Sequence, residues 1–71
     1  MHPKLIPIRV NGEATDVPSD QSVEALLDFL KVPVDRVAVE MDKAIVRKRD
    51  WSNIIVTPGS QIEIVEFVGG G

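Results

Sequence analysis

The sequence predicts an α+β fold, a mixed sheet of four to five strands with one main helix packed across one face. Three observations carry the prediction. Apolar and polar residues alternate with period two in residues 4–10 and again in 36–41. One stretch only, residues 23–30, repeats its apolar residues at helical spacing. The chain has 71 residues, so every element must share a single core. A domain of this size buries only ~60% of the surface its unfolded chain exposes.

In residues 4–10, Leu5, Ile6, Ile8 and Val10 are apolar while Lys4 and Arg9 are polar. Pro7 interrupts the run and cannot donate to a ladder, which asks for an edge position or an unpaired N–H. Asn11-Gly12 follows directly, and both residue types tolerate the positive φ that a type I′ hairpin turn demands. Residues 13–17 return as the second strand, and Pro18 ends it. Val23, Leu26, Leu27 and Leu30 then fall at i, i+3, i+4 and i+7, with Ser22 as the expected N-cap. Glu24 suits the positive end of the helix dipole, Lys31 lies at the other end, and Pro33 prevents continuation.

Val37, Val39 and Met41 share one side of the next strand, Asp42-Lys43 reads as a turn, and residues 44–46 return. Residues 47–50 break the apolar pattern, 51–53 are expected to form a single helical turn, and 54–56 are apolar again. Thr57-Pro58-Gly59-Ser60 is a turn by composition, and residues 61–68 form the longest and last strand. This order of hairpin, helix, short strands and a final long strand is that of the β-grasp, or ubiquitin-like, fold. The expected division is one domain over residues 1–68 and a flexible glycine tail over 69–71.

Composition narrows the function. Hydrophobic residues make up 44% of the chain, enough for a globular core, and aromatics are limited to Phe29, Phe67 and Trp51. A net charge of −3 offers no general attraction to nucleic acid or to an anionic membrane. No apolar run approaches the ~20 residues that span a bilayer, and no secretory signal pattern opens the chain. A cytoplasmic protein is expected. With no cysteine, disulfides, zinc–thiolate sites and thiol nucleophiles are excluded. His2 has no second ligand beside it, so no metal is expected. Asp16, Asp20, Glu24 and Asp28 have no His, Lys or Cys arranged as a partner, and ordinary surface charge explains them.

The ending Val65-Glu66-Phe67-Val68-Gly69-Gly70-Gly71 is the most informative stretch. Three glycines bury nothing and have the largest backbone entropy to lose on ordering, so they do not belong to a core. An unbranched tail with a free α-carboxylate suits insertion into a narrow enzyme channel. A frayed terminus or a leftover linker is the plain alternative. By alternation, Val65 and Phe67 face away from Ile62 and Ile64. A helix covers only one sheet face, so Val65 and Phe67 are expected to form a docking patch, unless a bulge or loop buries them. Arg47-Lys48-Arg49 reads as a solvated turn or as a patch that steers an acidic partner. Trp51 reads as a packing residue.

Taken together, the sequence resembles the ThiS family of sulfur carriers in thiamin biosynthesis. The resemblance rests on Val10-Asn11-Gly12-Glu13, Ser22-Val23-Glu24-Ala25-Leu26-Leu27, Val37-Ala38-Val39-Glu40, and Ile45-Val46 with Arg47 and Trp51. It continues through Pro58-Gly59-Ser60, Ile62-Glu63-Ile64-Val65 and Phe67-Val68-Gly69-Gly70-Gly71. The resemblance implies a carrier and co-substrate rather than an enzyme. A ThiF-like adenylyltransferase would join the Gly71 carboxylate to AMP, and a sulfur donor such as a cysteine desulfurase would convert it to a thiocarboxylate. Thiazole synthase, ThiG, would receive that sulfur. Gly71 would carry the reacting group, Gly70 and Gly69 would thread the channel, and Phe67, Val65, Val68 and Arg47 would meet the partners. ATP and Mg would belong to the activating enzyme, and the chain itself would bind no cofactor. The small, MoaD-like subunit of molybdopterin synthase shares these features and stays open as an alternative. So do a ubiquitin-like protein modifier and an interaction module with an inert tail.

Overall fold

The computed structural model describes residues 4–67. Five strands, β1 (Leu5–Val10), β2 (Glu13–Pro18), β3 (Val37–Met41), β4 (Ala44–Val46) and β5 (Gln61–Glu66), form one mixed sheet in the order β2-β1-β5-β3-β4. The helix α1 (Val23–Phe29) lies between β2 and β3 in the chain. β1 pairs with β2 antiparallel and with β5 parallel, while β3 pairs antiparallel with both β4 and β5. This is the predicted β-grasp. Val23, Leu26 and Leu27 of α1 are buried together with Ile6, Ile8, Val17, Val39 and Ile62 of the strands, so helix and sheet close one aliphatic core.

Local chemistry explains most of the elements. Asn11 and Gly12 have φ of 50° and 83°, the pair of positive values that a type I′ turn requires. Arg9 and Asn11 donate their backbone N–H groups to Ser60 and Ile62 on the β5 side. Pro7 shares that parity, so its missing N–H faces the stretch before β5 begins, where its carbonyl accepts from Gly59 instead. A proline inside β1 thus removes no ladder bond. Pro58-Gly59 turns the chain into β5, with Gly59 at φ 84° and the Ser60 N–H donating to the Thr57 carbonyl.

The start of α1 is fully satisfied. Ala25 donates to the Ser22 hydroxyl at 3.0 Å, as expected of the N-cap. The Val23 and Glu24 N–H groups donate to the carbonyls of Ile54 and Trp51. Residues 54–56 therefore serve as a second cap, and only Ile55 bridges Ser22. The single helical turn expected at 51–53 is present, with the Asn53 and Ile54 N–H groups both donating to the Asp50 carbonyl, and a 3-10 turn at Lys48–Asp50 precedes it. The buried Trp51 keeps helical backbone angles and joins the two turns.

α1 stops because Lys31 adopts a left-handed conformation, φ 59°. Val32 donates to the Leu27 carbonyl and Lys31 to that of Asp28, which is the Schellman pattern normally completed by glycine. A Lys31→Gly variant should therefore be more stable by about 0.5–1 kcal/mol, since it relieves the left-handed strain at some cost in chain entropy. Urea denaturation checks this; an unchanged midpoint would show that the lysine side chain compensates.

β5 is shorter than the expected 61–68. Beyond Glu66 the partner β3 has given way to a 3-10 turn at Val34–Arg36, and the last contact is the Phe67 N–H donating to the Arg36 carbonyl. Val68 and the expected glycine tail lie outside the described residues.

Candidate functional site

The outer face of the sheet, opposite α1, carries the candidate site. Alternation along β5 buries Ile62 and turns Val65 outward, and Phe67 follows on the same side. Val65 is 58% exposed and Phe67 50%, as the alternation in the sequence predicts. Ala38 is the cross-strand partner of Val65 and is exposed. Ile45 on β4, at 75% the most exposed of the large apolar residues among those described, pairs with Glu40, which in turn pairs with Glu63. Apolar side chains from three strands therefore share one solvent-facing surface.

Ile45 and Ala38 belong to the residues that carry the family resemblance, but the sequence alone places neither in the docking patch. The signal was present in the two-residue turn Asp42-Lys43, which sets Met41 against Ala44 and hence Glu40 against Ile45. A three-residue strand gives no alternation of its own to read.

Arg47 is exposed one residue past β4. Continuing the antiparallel register by one step sets it opposite Ala38, the neighbour of Val65. Arg49 and Lys48 are both exposed, and the Lys48 ammonium lies 5.9 Å from the centre of the Trp51 ring, a cation–π arrangement. Glu40 and Glu63 stand directly opposite each other, an unfavourable pairing that a cation from outside would relieve.

Chemistry on the domain itself is sparse. Among the described residues no group of three His, Cys, Asp or Glu side chains comes together, and the first-turn N–H groups of α1 already have partners. No described helix is long and apolar enough to cross a membrane. His2, Val68, Gly69, Gly70 and Gly71 lie outside the described residues. The arrangement suits recognition: an apolar sheet face whose last strand leads, four residues after Phe67, to Gly71.

Sheet order, single helix and this outward face define a ubiquitin-like β-grasp domain. The ThiS family model matches residues 7–71. A crystal structure of the thiamine biosynthesis protein ThiS from Geobacter metallireducens superposes with a TM-score of 0.83 at 29% identity, covering 93% of this chain and all of that one. The chain belongs to the ThiS family. It is also 42% identical over 62 residues to a thiazole synthase of Paramagnetospirillum magneticum, and 36% over 64 residues to one of Magnetococcus marinus. These alignments take in 87% and 90% of this chain but only 19% and 20% of those proteins, so the chain spans about a fifth of their length.

Proposed function

We propose that this chain is a sulfur carrier of thiamin biosynthesis that bears sulfur on its C-terminal carboxyl. The observation that carries the reading is a family match running through the last glycine of a β-grasp domain. A carboxylate is a poor acyl donor, because oxide is a poor leaving group. A ThiF-like adenylyltransferase attaches AMP from ATP to the Gly71 carboxylate and releases pyrophosphate, giving a mixed anhydride. A persulfide sulfur, supplied for instance by a cysteine desulfurase, displaces AMP to form an acyl disulfide. A thiol reductant then cleaves the S–S bond, leaving the thiocarboxylate and being oxidised to a disulfide. Thiazole synthase then takes the sulfur into the thiazole ring. The alignment with two thiazole synthases supports a working relation between this domain and that enzyme. ATP and Mg act on the activating enzyme, and this chain is the co-substrate. Gly70 and Gly69 thread the enzyme's channel, and Val65, Phe67, Val68 and Arg47 meet its surface, joined by Ile45.

The test is mass spectrometry of the C-terminal peptide after incubation with the adenylyltransferase, ATP and a sulfur source, followed by a thiol alkylator. The sequence contains no cysteine, so alkylation reports the thiocarboxylate alone. An ATP-dependent adduct on Gly71 supports the reading, and its absence with a verified active enzyme overturns it. The mass of the untreated peptide checks that Gly71 is the free terminus.

Docking makes a separate prediction. Ile45→Ala and Phe67→Ala should each weaken binding to the adenylyltransferase roughly tenfold, the effect of truncating one apolar anchor in an interface. Both side chains are exposed, so stability should change by less than about 0.5 kcal/mol. Titration calorimetry beside thermal melts checks the pair. Unchanged affinity for both variants would remove the outer face as the docking surface. Arg47→Glu should slow association with an acidic partner surface and flatten its salt dependence in stopped-flow measurements.

A further inference from the structure

The two edges of β5 differ. Toward β3 the strand is paired along its length, from the Asp42 N–H on the Gln61 carbonyl to the Phe67 N–H on that of Arg36. Toward β1 the parallel pairing covers only Gln61 and Ile62, because β1 ends at Val10 and turns away. Asn11 extends the cover by two groups. Its N–H donates to the Ile62 carbonyl at 2.8 Å, and its side-chain Oδ1 accepts the Ile64 N–H at 2.7 Å. Beyond that, the Ile64 carbonyl and both the N–H and carbonyl of Glu66 face this side by the alternation of the strand. None of the three has a hydrogen-bond partner among the described residues. They border an open cleft of about 370 Å³, walled by Val10, Leu30, Val32, Pro33 and Val37, with Lys31 at its margin.

One donor and two acceptors in line along a strand, beside a cleft of mixed polar and apolar lining, are what an extended peptide needs in order to add itself to a sheet. Its main chain bonds the edge while alternate side chains enter the cleft. We propose that this edge of β5, Ile64 to Glu66, takes up an extended segment of the adenylyltransferase that activates Gly71. The proposal rests on the function proposed above and adds a mode of recognition to it. The tail selects this occupant over others. Gly71 is five residues beyond Glu66, a reach of at most ~18 Å even when fully extended. A strand seated on the edge therefore belongs to a molecule whose surface lies close to the reacting carboxyl. The edge is also continuous with Val65 and Phe67, which face outward on the same strand. Outer face, edge and tail together fix β5 in three directions, so pairing along Ile64 and Glu66 sets how far the tail extends into the enzyme.

Glu66 offers a clean test because its N–H faces the open edge and not β3. Glu66→Pro deletes that donor and obstructs the edge with its ring, leaving the hydrogen bonds to β3 intact. Glu66→Ala removes the carboxylate and keeps the donor. In ATP-dependent activation by the adenylyltransferase, Glu66→Pro should raise KM about tenfold or more above that of Glu66→Ala, which isolates the lost donor from the lost carboxylate. In the unaltered chain, hydrogen exchange at the Glu66 amide should slow about tenfold or more when the enzyme is added in excess. A folded Glu66→Pro variant with the KM of Glu66→Ala overturns the proposal, as does a Glu66 amide that exchanges equally fast in the free and bound chain. If Glu66→Pro does not fold, the exchange measurement on the unaltered chain decides. Failure of the unaltered chain to be activated overturns the parent reading, an outcome distinct from failure of the edge alone.

Discussion

Removing Gly70 and Gly71 should cut activation by the adenylyltransferase at least about a hundredfold while leaving the melting temperature unchanged. The core explains the second half of this result. Among the described residues all twelve buried apolar ones lie between Ile6 and Ile62, and β5 ends at Glu66, so the deletion reaches nothing that holds the described fold together. The first half follows from geometry. Losing two residues draws the terminal carboxylate back by about 7 Å along an extended chain. Reaction with the α-phosphate of ATP requires the attacking oxygen about 3–3.5 Å from phosphorus, and misplacement by about 1 Å already reduces rates by about 10²-fold. A carboxylate therefore still ends the shortened chain but cannot reach. Pyrophosphate exchange, read beside a thermal melt, checks both halves. Equal exchange rates for the full and shortened chains would make the tail inert and leave an interaction domain. The distinction from Phe67→Ala is kinetic: that variant should act through KM, whereas the shortened tail should act through kcat.

What the sequence made legible was local. Asn11-Gly12 names its own turn, Ser22 its own cap, and the spacing of Val23, Leu26 and Leu27 its own buried face, because each depends on residues within a few positions. Alternation along β5 was enough to turn Val65 outward. The features that escaped join distant parts of the chain. Ile55 belongs to an apolar triplet that looks like a strand, yet the backbone around it caps α1 some thirty residues earlier. Asn11 reads as a turn residue, and only the fold shows its side chain holding Ile64 in β5. Lys31 gives no warning of its positive φ, because nothing in a lysine favours that conformation; the sequence around it, Leu27 and Val32 above all, imposes it by packing. Ile45 had too short a strand to show its side. The reacting role proposed for Gly71 rests on the family resemblance, since three glycines in a row carry no periodicity of their own.

Trp51→Ala should cost about 3–5 kcal/mol, the largest single loss expected in this domain. A chain of 71 residues has roughly 4–10 kcal/mol of stability in total, at ~0.05–0.15 kcal/mol per residue, so the variant should be at the edge of folding at room temperature. Trp51 is the only large aromatic in the core, 3% exposed, and three connections meet in it. Its indole N–H donates to the Val46 carbonyl at 2.9 Å and fixes the end of β4. Its own carbonyl accepts the Glu24 N–H at 3.0 Å and so caps α1. The ring itself fills the core beneath both, with Lys48 over one face. Trp51→Phe separates these contributions. It keeps an aromatic ring but leaves the Val46 carbonyl without its donor at a buried residue, for a loss of about 1–3 kcal/mol. The order of stability should be Trp51, then Phe, then Ala, measured by urea denaturation with far-UV circular dichroism, since the only tryptophan is the residue removed. Equal losses for Phe and Ala would mean that the hydrogen bond, not the bulk of the ring, sets the stability of β4. Ile45 sits one residue from Val46, so a loosened β4 also disturbs the outer face. A folded Trp51→Phe chain should accordingly bind the adenylyltransferase more weakly, although its side chain points away from every proposed partner.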